Sequence, residues 1–442
     1  MNFQAVSILQ NFRSALIRFG LGAAAGFAVA QSPAMAAPQE SVLYSFQGGG
    51  DGTNPQAGVI FGPNGALYGT TSGGGAFGGG TVFQLAPAGT DQIHVTKTIL
   101  HSFKGGSDGR NPTGSLLEIG GFLYGATMRG GTPNNGTIFQ LTPPAKGQTQ
   151  WTETVIYSFQ GGADGFFPQT GLISDSSGAL YGTTNGGGTG GFGTVFKLTP
   201  PPPGQMQWTK IVLHNFAGSM IEGIFPQTGL IFDTSGALYG MTNAAGAFGG
   251  PFNGGTVYKL TPPGSGQSQW TLAVLHNFGN GNDGSSPNTF GGSLVFDTSG
   301  ALYGTTQFGG TSNSGTVFQL TPPAEGQTLW TEKVIHNFQT GIDGINPLSS
   351  VIFDTKGALY GTTNLGGALG ASTVYRLTRP AAVCSGLTPW METVLHSFGA
   401  GGDGNSPAGS LIFGAGGALY GTTSAGGTSN AGTVYAVTGA TK

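Results

Sequence analysis

Charge is scarce in this chain of 442 residues: Asp, Glu, Lys and Arg together make up 7%. Disordered segments are usually the reverse, charged and poor in aromatics, so 30 Phe, 12 Tyr and 5 Trp argue against disorder. The 15 Lys and Arg are scattered and the net charge is −3, which leaves no electrostatic footprint for nucleic acid. With Cys384 as the single cysteine, no internal disulfide can hold the fold. No apolar run reaches the ~20 residues that a spanning helix needs. Long helices are also disfavoured, because 86 Gly and 25 Pro are spread through the chain and each weakens a helix interior. What remains is a glycine-rich all-β protein.

The N-terminus has the layout of a secretory signal. Arg13 and Arg18 form a positive region, Phe19 to Ala30 is an uncharged apolar run of 12 residues, and Ala34-Met35-Ala36 is a small-x-small cleavage signal. Residues 1–36 are therefore expected to be a signal peptide and 38–442 a single domain. Cleavage leaves 13 basic against 18 acidic residues, a net charge of −5, and no membrane span. The expected location is extracellular or periplasmic.

A repeat fills the rest. Leu-Tyr-Gly recurs with its tyrosine at Tyr68, Tyr124, Tyr181, Tyr239, Tyr303, Tyr360 and Tyr420, at intervals of 56 to 64 residues. Each unit reads as four strands. In one copy these are Gly171–Ser174, Ala179–Thr184, Thr194–Leu198 and Trp208–Phe216, separated by Gly, Pro, Asn and Asp. Such strands are apolar on both faces, as expected when every sheet packs between two others.

Seven four-stranded units suit either an open solenoid or a radial array. The ends favour the ring. Residues 38–46 align with Trp390–Phe398, a fourth strand with no unit before it, while the last unit stops after its third strand, Thr433–Val437. Pairing 41–46 with 433–437 closes a seven-bladed β-propeller of four antiparallel strands per blade and removes the exposed edges.

The Leu-Tyr-Gly-(Thr/Ala/Met)-Thr, Gly-Thr-(Val/Ile)-(Phe/Tyr)-x-(Leu/Val) and (Val/Ile)-(Leu/Ile)-(His/Tyr)-(Ser/Asn)-Phe blocks resemble the GloVer tandem-repeat family of secreted bacterial proteins over nearly all of 41–438. The resemblance implies an extracellular setting, and the family's choice-of-anchor type implies a C-terminal anchor that this sequence does not show. It brings no established activity. Gly-Gly after the second strand and Trp opening the fourth are also similar to kelch propellers, an analogy of architecture alone.

Candidate chemistry is sparse. His101, His214, His276, His336 and His396 share one position in the fourth strand, which Tyr44 and Tyr157 fill in the other copies. Copies a blade apart cannot converge on one metal, so these rings are expected to bond to the neighbouring strand. Trp151, Trp208, Trp270, Trp330 and Trp390 read as packing. Asp51, Asp108, Asp164, Glu222, Asp283, Asp343 and Asp403 each precede Gly and stand four residues before Pro, the pattern of a capped turn. No cofactor and no metal site is expected.

Departures from the repeat are the better clue. Arg110 and Asn111 follow one acidic turn, Phe166 and Phe167 the next, and Phe225 the one after. Two readings are open: a ligand-facing patch, or burial under adjacent loops. The expected ligand site is Asp108, Arg110, Asn111, Asp164, Phe166, Phe167 and Phe225, on the face where loops vary most. The expected function is a secreted non-catalytic binding or scaffold module whose partner is a polysaccharide, an envelope component or a surface protein. The alternative is a lyase-type propeller enzyme on polysaccharide, which requires non-repeated acid, base and charge-stabilising groups at one site.

Overall fold

The Leu-Tyr-Gly block is the second strand of each of seven sheets in a computed structural model that describes residues 37–88, 94–219, 221–248, 254–287, 292–379 and 390–440. Residues 1–36, with the expected signal peptide, and Cys384 lie outside the described residues. The copy read from sequence folds as Ile173–Ser174, Leu180–Thr184, Thr194–Thr199 and Thr209–Asn215, antiparallel and in sequential order. This is blade 3. Blades 1, 2, 4, 5 and 6 repeat the order, and blade 7 is completed by Gln39–Ser45, which pairs with Thr433–Thr438 from Gln39↔Thr438 to Ser45↔Thr433. The ring closes as the sequence implies.

The repeated motifs have local physical causes. The last Thr of the second strand bonds the first Thr of the third through their hydroxyls, at 2.8 Å for Thr184 and Thr194 and 2.7 Å for Thr127 and Thr137. The glycine of Leu-Tyr-Gly makes room for a third-strand ring: a Cβ on Gly125 would lie 2.5 Å from Phe139 Cζ. Asp233 caps the turn between first and second strands, accepting from the Ser235 and Ala237 backbone N–H groups at 2.9 Å and from the Tyr239 hydroxyl at 3.1 Å. Those contacts hold the Asp233 carboxyl at about 2 against the upward push of burial.

The core lies between sheets. Tyr181, Val195, Leu213 and Phe216 of blade 3 pack on Leu230, Leu238, Tyr258 and Leu260 of blade 4, with Trp270 at the edge. The tryptophans reach back one blade, as Trp151 does to Tyr68 at 6.2 Å between rings. The approaches to first strands of neighbouring blades touch, Gly229 N–H donating to the Gly292 carbonyl at 2.9 Å and the Thr113 hydroxyl to the Gln169 carbonyl at 3.1 Å. First strands therefore surround the axis and fourth strands form the outer wall. The loops from fourth to first strand and from second to third meet on one face, where Phe166 and Gly186 pair through both backbone groups.

Candidate functional site

Each fourth strand carries a bulge just before its His or Tyr; in blade 3 His214 faces Val195 and Val212 faces Phe196, with Leu213 left over. The extra residue sends Leu213 into the core and re-aims His214. It turns to the acidic residue of the following loop, and not to the neighbouring strand as the repeat suggested. His101 Nε2 lies 3.0 Å from Asp108 Oδ1, and the Tyr157 hydroxyl donates to Asp164 Oδ1 at 2.7 Å. The second carboxylate oxygen takes a backbone N–H, from Lys104 at 2.6 Å and from Gln160 at 2.7 Å. His214 stands eight residues before its acid and not seven, and there Glu222 spans the longer loop to bond it.

The next blade completes the contact through the residue four before its own His or Tyr. Beyond Tyr44–Asp51 and Tyr157–Asp164 that residue is lysine: Lys97 Nζ is 2.7 Å from Asp51 Oδ1, and Lys210 Nζ is 2.8 Å from Asp164 Oδ1. Each ammonium also faces three aromatic rings, Lys210 at 5.6 Å from Tyr157, 5.2 Å from Phe159 and 5.6 Å from Phe196. Beyond four His–Asp pairs it is glutamate: Glu153, Glu332, Glu392 and Glu40 face His101–Asp108, His276–Asp283, His336–Asp343 and His396–Asp403. Beyond His214–Glu222 it is Leu272, which packs with Leu213 and Phe216. Tyrosine thus goes with lysine and histidine with glutamate or leucine, a correlation present in the sequence that reading one repeat at a time does not reveal.

The glutamates are unusual. Oε1 of Glu40, Glu153, Glu332 and Glu392 is withdrawn from solvent and has no hydrogen-bond partner. Burial, with the neighbouring Asp charge, pushes Glu40 and Glu153 up to about 7; burial also takes Glu332 to about 7. Burial and the bond with Asp343 push Glu392 higher still. The Glu153 junction opens on a groove of about 1050 Å3 between blades 1 and 2, flanked by Phe77 and Trp151.

The residues expected to bind ligand separate into two groups. Asp108 and Asp164 are engaged within these junctions. Arg110, Asn111, Phe166, Phe167 and Phe225 lie on the expected face. Arg110 is exposed and pairs through its backbone with Arg129, whose guanidinium sits 4.9 Å from the Phe167 ring. Phe167 in turn packs edge-on against Phe166, 4.9 Å between rings. Asn111 is a structural link, its side-chain amide donating to the Ser72 carbonyl at 2.8 Å. Phe225 belongs to a neighbouring cluster, 6.0 Å from Phe192 and beside Ile224 and Ala244.

Sequence reasoning missed Arg129, although it too is a departure, standing where blades 1 and 3 have Gly73 and Gly186. The structure adds strain: Phe167 and Phe225 both hold φ 59, at a position filled elsewhere by Asn54, Asn111, Ser286, Asn346 and Ser406 with φ from 51 to 59. Asn is readily accommodated in this left-handed region, whereas a bulky ring there is a genuine outlier.

Seven four-stranded blades closed by an N-terminal strand define a β-propeller. The chain belongs to the Gloeobacter/Verrucomicrobia repeat family, whose model matches residues 25–250 and 247–442. None of the curated proteins matches it. Among solved structures it is similar to the extracellular domain of a hybrid two component system from B. thetaiotaomicron, with 15% identity, TM-score 0.53, and 92% of this chain and 43% of that chain covered. A second structure, titled as the extracellular domain of a one component system from the same organism, gives 14% identity, TM-score 0.50, and 92% and 42%. The chain spans less than half the length of these structures, and the likeness shows the fold. Among the described residues no helix is long and apolar enough to cross a membrane.

Proposed function

We propose that this protein is a secreted, non-catalytic binding module for extracellular or envelope polysaccharide, with residues 1–36 as its signal peptide. The observation that carries the reading is the strained pair Phe167 and Phe225 on the variable face. A left-handed backbone costs a non-glycine residue roughly 1–2 kcal/mol, and strain of this kind collects at functional sites. Phe166 and Phe167 offer flat apolar surface; Arg110 and Arg129 flank it with donors that suit sugar hydroxyls and carboxylates. The extracellular domains that share the fold fit this setting. A lyase-type enzyme would need a constellation outside the repeat. The His–carboxylate contacts instead recur from blade to blade.

The test is a glycan panel screened with residues 38–442, followed by affinity measurement on any hit. Arg110→Ala/Phe166→Ala/Phe225→Ala is expected to weaken binding at least about tenfold. Met206→Ala/Leu329→Ala, on the 92% and 81% exposed residues of the opposite links, is expected to change nothing. A triple variant that folds and binds as the parent does would refute this site.

A further inference from the structure

Two kinds of junction differ in two residues, Tyr and Lys against His and Glu, and so in whether a cation is present. In the Tyr–Asp–Lys junctions the lysine ammonium closes the contact, bonded to Asp51 or Asp164 and almost wholly enclosed, with 5% and 2% of the side chains of Lys97 and Lys210 exposed. In the His–Asp–Glu junctions the same place holds a second carboxyl group, whose Oε1 has no partner, although Glu392 also bonds Asp343. A buried oxygen without a partner is costly, and here it recurs in four junctions. In three of these, Glu40–His396–Asp403, His101–Asp108–Glu153 and His336–Asp343–Glu392, one ligand atom from each residue lies within 4.8 Å of the others.

We propose that these three junctions bind a divalent transition-metal ion of the Zn2+ or Mn2+ type, which takes the place the lysine ammonium occupies in the other two. Charge supports the exchange. Tyr, Asp− and Lys+ sum to zero, and so do a neutral imidazole, two carboxylates and a divalent ion. Geometry supports it too: ligands about 2.1 Å from one ion stand about 3.0–3.4 Å apart, and His101 Nε2 is already 3.0 Å from Asp108 Oδ1. On loading, that hydrogen bond is replaced by two bonds to the ion, the Nε2 proton moves to Nδ1 or, from a charged ring, is released, and a protonated glutamate releases its proton to solvent. One imidazole among the ligands favours Zn2+ or Mn2+ over Ca2+. The expectation of no metal rested on convergence across the ring, and convergence is unnecessary because each site is complete between two adjacent blades. In the His101 junction the open groove leaves room for water as a further ligand.

The experiment uses the full mature chain, stripped with a chelator and titrated calorimetrically with ZnCl2, MnCl2 and CaCl2. Three equivalents of Zn2+ or Mn2+ are expected. His101→Tyr/Glu153→Lys rebuilds the Tyr157–Asp164–Lys210 arrangement at the blade 1–2 junction; it should bind one equivalent fewer and melt no lower than the metal-free parent. If the double variant does not fold, Glu153→Gln carries the same expectation for stoichiometry. The proposal fails if the parent shows no saturable binding tighter than about 1 mM, if the variants keep the full stoichiometry, or if Ca2+ binds as tightly as Zn2+ and Mn2+.

Discussion

Lys210 reaches from the fourth strand of blade 3 to Asp164 in the loop that leaves blade 2, 2.8 Å from Nζ to Oδ1 with 2% of the lysine side chain exposed. The pair joins two sheets. Burial drags the lysine down and the Asp164 carboxylate holds it up, so the ammonium is kept by its partner. Truncating Lys210 to Ala leaves Asp164 with an unpaired charge and should destabilise the chain by about 3 kcal/mol in urea unfolding. Asp164→Asn/Lys210→Met should recover part of that loss. Equal stabilities for the Lys210→Ala variant and the parent would show that the pair contributes nothing.

The junction glutamates give stability a sign with pH. Their folded values lie above the ordinary ~4.3 of a free glutamate, at about 7 for Glu40, Glu153 and Glu332. Their contribution is thus fully present below about pH 4.3 and is lost as pH rises through 7. Asp175 and Asp233, held at about 2 by their turn contacts, act oppositely and lose theirs as pH falls from about 4 through 2. With chelator present, the melting temperature should peak between about pH 4 and 5. A maximum at pH 8 would contradict this assignment.

Bound metal should reverse that trend. At pH 7.5, saturating Zn2+ is expected to raise the melting temperature, because the ion binds the folded junctions and not the unfolded chain. The His101→Tyr/Glu153→Lys variant should show a smaller rise.

Phe167→Asn tests whether strain is maintained for binding. Asn54, Asn111 and Asn346 occupy the same left-handed position, so the substitution should stabilise the fold by about 1 kcal/mol while weakening binding of any glycan found. Stabilisation without loss of binding would remove Phe167 from the site.

Gly125→Ala addresses the central motif. The new methyl would stand 2.5 Å from Phe139 Cζ and 3.1 Å from Leu116 Cδ2, and overpacking of this kind costs about 1–3 kcal/mol. Phe139→Leu in the same chain should restore part of it, as thermal melting would show.

The blade was legible because its causes are local and repeated. Leu-Tyr-Gly, the paired threonines and the Asp-x-x-Gly turns each act within one unit, and seven copies of the first two and four of the third make them stand out. Ring closure was legible because the strand missing at one end stands at the other. The junctions were not, because their third member comes from another blade: Lys97 serves Asp51, 46 residues away. Histidine and aspartate alone look like a turn and its neighbour. The departures Arg110, Phe166, Phe167 and Phe225 lie on the face the sequence assigned to them, while the two acids named with them, Asp108 and Asp164, are engaged in the junctions. The φ 59 of Phe167 and Phe225 belongs to the backbone, and no residue count betrays it.

Gln39 and Thr438 are hydrogen-bonded partners separated by 399 positions, which sets an order on assembly. The strand that emerges first from synthesis must wait for the last blade before it has a neighbour. Until then the ring is a broken circle with one bare edge at each end, and those edges are as complementary between two molecules as within one. Two complete chains caught before closure can satisfy those edges on each other and link head to tail, whereas arrest before residue 433 removes from every copy the strand that Gln39–Ser45 pairs with.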